Sequence, residues 1–591
     1  MTDTSRIVCN PLDLAYRYQD IRFSGVVRGT RLGEPRRTVH REAADPSIVL
    51  YRQRYYLFAS MSAGFWHSTD LVNWEYRATT KLPALDYAPD VREVDGALYI
   101  SASRKEENCP FFRSVDPLSD DFTEATPGTF QFWDPHLFQD TDSTTYLYWG
   151  CDNKTPLYGV QVDDSFKQVG EPLPLIASDT DAHGWEQIGE DYVQKVPATE
   201  QEKLVAQFMG TTPYIEGAWM TQREGTYYLQ YAAPGTELNT YADGYYIANS
   251  PLGPFTYSEN SPFSSKPGGF IAGAGHGSTF QDRHGNWWHA STMRISINDV
   301  FERRIGLFPA GFDEDGVLFC NQNFADYPFI VPDGPFEPWA PPPWMLLSYK
   351  AKATATSSKP GHEPSEAADE NIRTWWAADG RAPGESLTLD LGASKTIHAV
   401  QINLADHELG SIAPEAPEGA DQGHSWRGII LEHQPAELLI ETSTDGNTWT
   451  ALHDSRGADS DRPHALIVLD EAQSGRYVRV TSGRLPFDGP FAVSGLRVFG
   501  LGAGTAPAPV LARAQRIDER TARIDWEPSE GATGYNIRYG SHPDKLYHSW
   551  QVHDRTHLDL RSLNAGIKYW AAVDAFGENG ITTGCAVPVQ P

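Results

Sequence analysis

Five polar residues recur along the first half of this 591-residue chain, and each lies shortly before a short aromatic-rich stretch. They are Asp45 before YYLFAS, Asp90 before ALYISAS, Asp134 before TYLYWG, Glu216 before TYYLQYA and His276 before NWWHAS. If the fold gathers them in one concave site, one carboxylate can activate water while a second protonates a leaving oxygen. A third carboxylate nearby would raise the pKa of the acid by like-charge repulsion. These residue types therefore indicate hydrolysis of a glycosidic bond.

The spacing of these copies predicts the architecture that positions them. Turn signals precede most of the aromatic strands, at Asp95-Gly96, Asp142-Ser143, Glu224-Gly225 and His284-Gly285. Five copies of a unit of roughly 45–80 residues built only of short strands predict a five-bladed β-propeller. The innermost strands of a propeller line a central channel, so the repeated polar residues would converge at one mouth of it.

Two compositional breaks divide the chain into three segments. Six of the twelve residues at 332–343 are proline, which cannot continue a helix or a central strand. The run GAGTAPAP at 502–509 is typical of a short linker. We call residues 1–340 the first segment, 345–501 the second segment and 508–591 the third segment. We expect the first segment to remain active on small substrates when it is separated from the other two.

Composition limits the class of protein and its partners. Lys and Arg number 48 against 78 Asp and Glu, for a formal net charge of −30. Such a chain would be repelled by a phosphate backbone and by an anionic membrane, so nucleic acid is not an expected partner. Charged residues make up 21% and hydrophobic residues 40%, which indicates a folded chain. The 51 Gly and 42 Pro favour many short strands and an all-β fold.

Targeting signals and cysteines say little about where the protein works or which ligands it binds. No apolar run approaches the length of a membrane-spanning helix, so membrane insertion is not expected. The first residues, MTDTSR, do not resemble a signal peptide, and the location stays open between the cytoplasm and export with a signal that was removed. The scattered cysteines predict no disulfide framework or metal site and are interpreted as buried or idle thiols. They are Cys9, Cys109, Cys151, Cys320 and Cys585.

The elements around the repeated polar residues resemble those of glycoside hydrolase family 43. They occur in the expected order and span nearly all of residues 40–330. The matching stretches are AADPSI, YAPDV, FWDPHLFQDTDSTTYLYWG, YIEGAWMTQREGTYYLQY and GHGSTF. A single Asp-Pro would carry no weight, but five ordered elements that each begin a predicted blade are specific.

This resemblance implies a role for each carboxylate. Asp45 resembles the general base of the family, and Glu216 resembles its general acid. Asp134 resembles the residue that modulates the pKa of the acid and orients it. His276 resembles the histidine beneath the active site that touches a central water or calcium ion, and a buried histidine without an ion is the alternative. Asp90 has no catalytic counterpart and is expected to hold strand ends or line the channel.

Substrate-binding residues are less well marked. Arg304, in FERRIGLF, falls where the family often places an arginine that grips the substrate, and Arg294 is a rival. The acidic and aromatic insertion at 175–192 is expected to build one wall of the pocket, which leaves Glu190 as a rival acid. Four tryptophans are candidates for stacking on sugar faces, although each is also a candidate core residue. They are Trp66, Trp133, Trp185 and Trp219.

The sequence departs from the family pattern at two turns. Ala218 stands where the family often has proline, and Ser143 stands where glycine is usual. Neither change touches a carboxylate, so neither alters the predicted chemistry.

The second segment resembles the discoidin, or coagulation factor 5/8 type C, domain, a galactose-binding-like β-sandwich. Its AADENIRTWW stretch matches a loop that often holds a structural calcium, so Asp369, Asn371 and Thr374 are candidate oxygen ligands. A loop without an ion is the alternative. The insertion at 407–427 is expected either to serve this sandwich or to reach across to the catalytic pocket.

The third segment resembles a fibronectin type III β-sandwich. Trp526 and Tyr535 lie in its predicted strands, and Tyr569 lies where such sandwiches have a tyrosine corner. Nothing in this segment indicates chemistry, and it is interpreted as a spacer.

Together these patterns predict an inverting, exo-acting glycoside hydrolase that acts on an oligosaccharide or polysaccharide. An α-L-arabinofuranosidase is the leading expectation, with β-D-xylosidase, β-D-galactofuranosidase and galactosidase activities as alternatives. No organic cofactor is expected, structural calcium ions are expected in the channel and in the second segment, and the oligomeric state stays open. A non-catalytic glycan-binding propeller and an adhesion scaffold are the alternatives of another class.

Overall fold

The computed structural model describes residues 6–27, 30–104, 107–210, 212–423 and 425–591. Strands make up 46% of the protein and helices 4%, so the protein is nearly all β. Within the described ranges one α-helix forms, Glu200–Met209, and the Thr199 hydroxyl caps it by accepting from the Glu202 backbone N–H. The short 3₁₀ turns are Pro117–Ser119, Gly184–Glu186, Pro364–Ala368, Leu409–Ser411 and Pro486–Asp488.

Five antiparallel sheets follow one another in the first segment, and each contains at least four strands joined in chain order. The first and second sheets comprise Ser47–Tyr51, Arg54–Phe58, Gly64–Ser68 and Glu75–Ala78, then Tyr87–Val94, Ala97–Ser103, Phe111–Ser114 and Thr123–Thr126. The third sheet comprises His136–Gln139, Thr145–Trp149, Leu157–Val162 and Gln168–Ile176. The fourth sheet comprises Glu216–Arg223, Thr226–Ala233, Ala242–Ala248, Thr256–Tyr257 and Ser264–Ser265. The fifth sheet comprises Ala272–Gln281, Trp287–Arg294, Arg303–Phe312 and Leu318–Cys320.

The first strands of the five sheets close into a ring. Each contacts the first strand of the next sheet, and the first strand of the fifth sheet contacts that of the first. The short strand Ile7–Val8 pairs with Phe329–Ile330, so the two ends of the first segment are joined. Groups at the start of these first strands therefore face one another across one end of the ring.

A residue with a left-handed backbone lies just before or near the start of the first four of these strands, and inside the fifth, Ala272–Gln281. The residues and their φ angles are Asp45 at 53°, Ala88 at 47°, Asp134 at 50°, Gly217 at 62° and His276 at 49°. Non-glycine residues seldom adopt this conformation, and Asp and His tolerate it better than most. Such strained positions cluster at functional sites because the surrounding structure must hold them.

Two of the repeated polar residues lie beside this position and not on it. Glu216 precedes Gly217 by one residue, and Asp90 follows Ala88 by two. Asp90 is buried inside the ring, where it accepts from Leu137 N at 2.7 Å and lies 3.3 Å from His136 Nδ1. The structure therefore gives Asp90 contacts between neighbouring first strands, away from the other carboxylates.

A further sheet joins the first and second segments. Arg17–Phe23 lies between Arg36–Glu42 and Trp426–Ile430, and Gly419–Asp421 pairs with Trp426–Ile430 on the outside. The separate hairpin Val26–Val27 and Thr30–Arg31 follows the first of these strands. The proline-rich stretch is therefore a connection between segments that share backbone hydrogen bonds.

Buried charges also cross this junction. Arg41, 2% exposed, pairs with Asp406 and lies 2.9 Å from Asp461. Arg497 of the second segment donates to the backbone oxygen of Asp326. Because the charge of Arg41 is taken out of water, its carboxylate partners in the second segment are needed to compensate it, whereas the charge of Arg497 is paired with Glu370 of its own segment.

The second segment is one array of eight hydrogen-bonded strands, folded over a core that includes Trp376, Val400 and Val480. Register shifts interrupt the pairing of its two longest strands, as bulges do where a sheet bends. The strands are Met345–Leu346, Lys352–Ala355, Trp376–Ala377, Ser386–Leu404, Leu438–Ser443, Thr450–Asp454, Leu466–Ser482 and Ala492–Leu501.

The third segment has a sheet of three strands and a sheet of five. The Tyr569 hydroxyl accepts from the Asn564 backbone N–H at 3.1 Å, which is the contact of a tyrosine corner. The three-stranded sheet comprises Ala512–Arg516, Ala522–Trp526 and His557–Leu560. The five-stranded sheet comprises Gly534–Gly540, His548–Val552, Trp570–Gly577, Gly580–Thr582 and Val587–Pro588.

The interpretation of the third segment as a spacer is wrong, because it packs on the first segment. The Asn564 amide donates to the backbone oxygens of Glu259 at 3.1 Å and Ser261 at 2.9 Å. Trp185 and Trp550 belong to one continuous core of buried residues that spans both segments. Within the described residues, no helix combines the length and apolar character that crossing a membrane requires.

Candidate active site

Four of the five repeated residues meet at one end of the ring. His276 Nδ1 lies 3.5 Å from Asp45 Oδ1 and 3.8 Å from Asp134 Oδ2. A carboxylate oxygen of Asp134 and one of Glu216 lie within 4.8 Å of each other. Asp45 and Asp134 are each 6% exposed. The arrangement therefore packs three carboxylates around one imidazole in a largely dry site.

Asp45 is held as a carboxylate. Its Oδ2 accepts from the Ser60 hydroxyl at 2.6 Å, and Arg303 Nη1 lies 3.3 Å from Oδ1. Its backbone N–H donates to the Thr292 hydroxyl at 2.8 Å, which fixes the strained turn. Burial alone would raise the pKa of Asp45, but Arg303, His276 and the hydroxyls together bring it below its ordinary value. An ionised, oriented carboxylate is what a general base requires.

Asp134 has the opposite electrostatic character. Its backbone N–H donates to the Ser103 hydroxyl at 2.7 Å, and that hydroxyl lies 3.1 Å from Oδ1. Burial, with the negative charges of Glu216 and Asp45, raises the pKa of Asp134 to about 7 against the opposing effect of His276. A carboxyl that keeps its proton close to neutral pH therefore lies beside Glu216.

Glu216 receives two hydrogen bonds from neighbouring side chains. The Cys151 thiol donates to Oε2 at 3.0 Å, and the Tyr241 hydroxyl donates to Oε1. Burial raises the pKa of the Cys151 thiol well above its usual value, so it stays a neutral donor. The interpretation of Cys151 as an idle thiol is therefore wrong. The feature of the sequence that could have identified Cys151 as a site residue is its position directly after the aromatic strand TYLYWG. No comparable sequence feature marks Tyr241.

Glycine is required next to Glu216. Gly217 has a positive φ, and a Cβ there would lie 2.8 Å from the His276 ring. The absence of a Cβ therefore lets the start of the strand Glu216–Arg223 lie directly against the His276 ring.

His276 is the positive partner of the carboxylates. Its backbone N–H donates to Asp243 Oδ1 at 2.7 Å, and Asp243 also contacts His289 at 2.9 Å. Burial would lower the pKa of His276, but Asp45 and Asp134 raise it above the usual value. The imidazolium therefore balances part of the negative charge.

Two groups of side chains in this site are candidates for binding a metal ion, one around Cys151 and one around His276. Among the described residues, one group of three potential ligands has its ligand atoms within 4.8 Å of one another, namely Asp134, Cys151 and Glu216. A cation there would compete with the proton that the acid role requires. A calcium ion at His276 would replace the ion pairs to Asp45 and Asp134, and calcium binding by His276 stays a prediction.

The predicted calcium loop of the second segment is closed by its own hydrogen bonds. Asp369 Oδ1 accepts from Asn371 N at 3.0 Å, and Oδ2 accepts from the Thr374 hydroxyl at 2.7 Å. Burial raises the pKa of Asp369 to about 6. The three oxygen donors do lie together, and calcium binding by them stays a prediction.

The mouth of the site carries an ion-pair cluster. Arg294 Nη1 donates to Glu190 Oε2 at 2.7 Å and to the Glu237 backbone oxygen at 3.0 Å. Arg373, from the second segment, lies 3.6 Å from Glu190. Glu190 is thus engaged with two arginines, so its geometry does not favour it as the rival acid.

The prediction that tryptophans stack on the sugar is wrong for three of the four candidates. Trp66 and Trp185 are fully buried in cores, and Trp219 is 4% exposed with its ring 4.4 Å from that of His136 inside the ring of sheets. Each is covered by neighbouring aromatic residues and cannot meet a sugar. Trp133 alone of the four is accessible, at 38% exposed, and it adjoins Asp134.

The prediction for Arg304 is also wrong. Arg304 is 1% exposed, and it donates to the backbone oxygen of Arg41 at 2.6 Å and to His464 Nε2 at 2.8 Å. It therefore stabilises the junction between segments. Successive strand residues point to opposite faces, so Arg303 faces Asp45 and Arg304 faces away from it.

The insertion at 175–192 mainly contacts the third segment and does not wall the pocket along its length. The Gly184 backbone N–H donates to Leu563 O at 3.1 Å, and Arg520 donates to Thr180 O at 2.5 Å. Only its end, at Glu190, reaches the mouth.

Comparison with known proteins relates the first segment to a family of glycosyl hydrolases. Residues 36–318 match the model of glycosyl hydrolases family 43. The beta-D-galactofuranosidase xynD of Aspergillus niger is 24% identical over 334 residues, which are 49% of this chain and 84% of that protein. A solved structure described as a glycoside hydrolase covers 77% of this chain and 97% of its own, with 17% identity and a TM-score of 0.43. The Bacteroides ovatus Xyloglucan PUL GH43B structure covers 98% of both chains, with 14% identity and a TM-score of 0.41.

Residues 36–318 are therefore a glycoside hydrolase family 43 domain. The protein is a glycoside hydrolase, and enzymes of this family invert the anomeric configuration. This result sets aside the alternatives of a non-catalytic glycan-binding protein and an adhesion scaffold.

Proposed function

We propose that this protein is an exo-acting α-L-arabinofuranosidase that removes side chains from a polysaccharide. The observation that carries the chemistry is the electrostatic contrast within one site. Arg303 favours the ionised form of Asp45, whereas burial and like charge favour a proton on Asp134, whose carboxylate lies within 4.8 Å of that of Glu216. An inverting hydrolysis needs these two protonation states at the same time.

In the proposed reaction Asp45 takes a proton from a water molecule while the water oxygen bonds to the anomeric carbon. The bond from that carbon to the leaving oxygen breaks on the opposite face, and Glu216 donates its proton to that oxygen. Asp134, Cys151 and Tyr241 orient Glu216. The base and the acid of such a pair are expected about 6.5–9.5 Å apart, which leaves room for the water.

The choice of sugar is a proposal about pocket shape. A β-D-galactofuranoside is the second candidate, because the Aspergillus niger relative is named a beta-D-galactofuranosidase. Both candidates are furanosides, and the same acid and base serve either one. β-D-Xylosidase and galactosidase activities are further alternatives.

We also propose the domain architecture expected from the sequence, a five-bladed β-propeller followed by two β-sandwiches. The closed ring of first strands supports the propeller. The Tyr569 contact supports a fibronectin-like third segment, and the bulged array of eight strands is compatible with a discoidin-like second segment.

A panel of aryl glycosides tests the substrate. The 4-nitrophenyl α-L-arabinofuranoside, β-D-galactofuranoside, β-D-xylopyranoside and β-D-galactopyranoside are compared by kcat/KM, with Asp45→Asn as the inactive control. The highest value is expected for the arabinofuranoside. A preference for either pyranoside would contradict the proposal, and NMR of the first product formed reads the anomer directly.

A further inference from the structure

The insertion of the second segment carries a buried arginine into the first segment. Arg427 lies on the strand Trp426–Ile430, which pairs with Arg17–Phe23. Its side chain is 1% exposed. A buried guanidinium is costly unless its donors and its charge are matched, so its partners identify its role.

Every nitrogen of the Arg427 guanidinium has a partner from the first segment. Nη1 donates to the Tyr87 hydroxyl at 2.7 Å, and Nε donates to Gln19 Oε1 at 3.2 Å. Nη2 forms an ion pair with Glu42 Oε2. Glu42 is itself fully buried.

Glu42 connects this arginine to the catalytic base. Its other oxygen, Oε1, accepts from Arg303 Nη2 at 2.7 Å and from Arg303 Nε at 3.2 Å. The remaining nitrogen of Arg303, Nη1, lies 3.3 Å from Asp45 Oδ1. The side chains thus form a continuous line of alternating charge, in the order Arg427, Glu42, Arg303 and Asp45.

We propose that Arg427 is a positioning residue for water activation, so that the insertion of the second segment completes the catalytic site. Arg427 occupies one oxygen of Glu42 and leaves the other to orient Arg303, whose third nitrogen then faces Asp45. Without Arg427, the Glu42 carboxylate is free to rotate. The two Arg303 nitrogens that bind it, Nε and Nη2, then move with it, and Nη1 no longer faces Asp45. This inference rests on the proposed role of Asp45 as the base.

A second arginine of the same junction provides a matched control. Arg37 also holds the insertion, since Nη1 donates to the backbone oxygens of Gly410 at 2.8 Å and Ala413 at 2.9 Å. Its carboxylate partner is Asp20, at 2.8 Å, and within the described residues the hydrogen bonds and ion pairs of Arg37 and Asp20 include neither Arg303 nor Asp45. Arg37→Gln therefore weakens the anchoring of the insertion without touching the line of charges.

The test compares full-length Arg427→Gln, Arg427→Lys, Glu42→Gln, the Arg427→Gln/Glu42→Gln double variant and Arg37→Gln. For each one kcat, KM and the unfolding temperature are measured on the best aryl glycoside and on one with a poorer leaving group. We expect kcat of Arg427→Gln to fall by about 10²-fold with little change in KM, since misplacing a catalytic group acts on the chemical step. The loss should be equal for both leaving groups, because the base is affected and the acid is not.

Rescue and non-additivity separate positioning from general structural damage. Arg427→Lys should recover part of kcat, because an ammonium can pair with Glu42 but cannot also reach Tyr87 and Gln19. In the Glu42→Gln background, Arg427→Gln should cost little more, whereas Arg37→Gln should leave kcat within about two-fold of the parent.

Three results would overturn the proposal. They are a folded Arg427→Gln with unchanged kcat, additive losses in the double variant, and an equal loss of kcat in Arg37→Gln. If Arg427→Gln does not fold, a folded Glu42→Gln with unchanged kcat overturns it as well. Failure of the parent protein to hydrolyse any glycoside would instead reject the proposed function.

Discussion

The Arg303 guanidinium lies 3.3 Å from the carboxylate of Asp45, and both side chains are almost completely buried. In a dry site this contact favours the charged form of the carboxylate strongly. Arg303 therefore resolves the conflict between burial and ionisation that a buried general base must face.

Asp45→Asn should abolish turnover on every glycoside, since an amide cannot accept the proton of water. We expect kcat to fall by about 10³-fold or more on good and poor leaving groups alike. Steady-state kinetics measure this loss. The control is Asp544→Asn, the same chemical change at an exposed residue of the third segment. Residual activity on substrates with good leaving groups alone would argue that Asp45 is not the base.

Glu216→Gln should distinguish the acid from the base. The loss should be severe on natural glycosides, whose alkoxide leaving groups need a proton, and milder on 4-nitrophenyl glycosides, which leave as stable phenolates. The measurement is the ratio of kcat/KM on the two substrate types. Equal losses would remove Glu216 from the role of acid.

Asp134 should control the basic limb of the pH–rate profile. Burial and the charges of Glu216 and Asp45 raise the pKa of Asp134 to about 7, so the charge of the site changes near neutral pH and activity should fall as pH rises through that range. Asp134→Asn removes this negative charge, and the basic limb should move to lower pH by about 1 unit or more. An unchanged limb in a folded variant would contradict this role.

Asp134→Asn should also change how stability depends on pH. Because the folded state holds the proton above the ordinary pKa of a carboxyl, the free energy of unfolding of the parent should decrease as pH rises from about 4 to about 7. The variant lacks this titration, so its unfolding temperature at pH 8 should exceed that of the parent. Thermal unfolding at pH 5 and pH 8 tests the sign, and no difference at pH 8 would contradict it.

Trp133 and Trp66 should respond oppositely to substitution. Trp133→Ala should raise KM by a factor of about 2–10 with little change in unfolding temperature, since the ring is accessible and adjoins Asp134. Trp66→Ala should lower the unfolding temperature, because a fully buried ring would leave a cavity. An unchanged KM for Trp133→Ala would exclude a contact with the sugar.

The first segment should not survive separation at the proline-rich stretch. Residues 1–344 would lose the strand Trp426–Ile430 and the partners of Arg41, and breaking a buried ion pair of this kind costs about 3–5 kcal/mol. We expect an insoluble or unfolded fragment without turnover. A soluble fragment with the activity of the full chain would contradict this and restore the expectation of an independent first segment.

Asp45, Asp134 and His276 could be chosen as candidate site residues from the sequence because each lies in a short motif that precedes an aromatic strand. Asp45 and Asp134 each occupy a left-handed residue two positions before the first strand of a sheet, and His276 occupies one inside the strand Ala272–Gln281. Glu216 was found through its family motif, although the left-handed residue there is Gly217. The all-β class likewise follows from short aromatic strands separated by turn residues.

The surroundings of these residues depended on contacts between distant parts of the chain. Cys151 and Tyr241 reach Glu216 from separate strands, and Arg427 approaches Glu42 across 385 positions. Arg303 faces Asp45 and Arg304 faces His464, because neighbouring residues of a strand point to opposite faces. The amino-acid composition does not show which of the two arginines faces the site. The sequence by itself determined the all-β class and the candidate carboxylates Asp45, Asp134 and Glu216, because short strands, turn residues and motifs are local patterns. Only the tertiary structure decided which groups tune them and which tryptophan is accessible, because burial and charge pairing are properties of the packed chain.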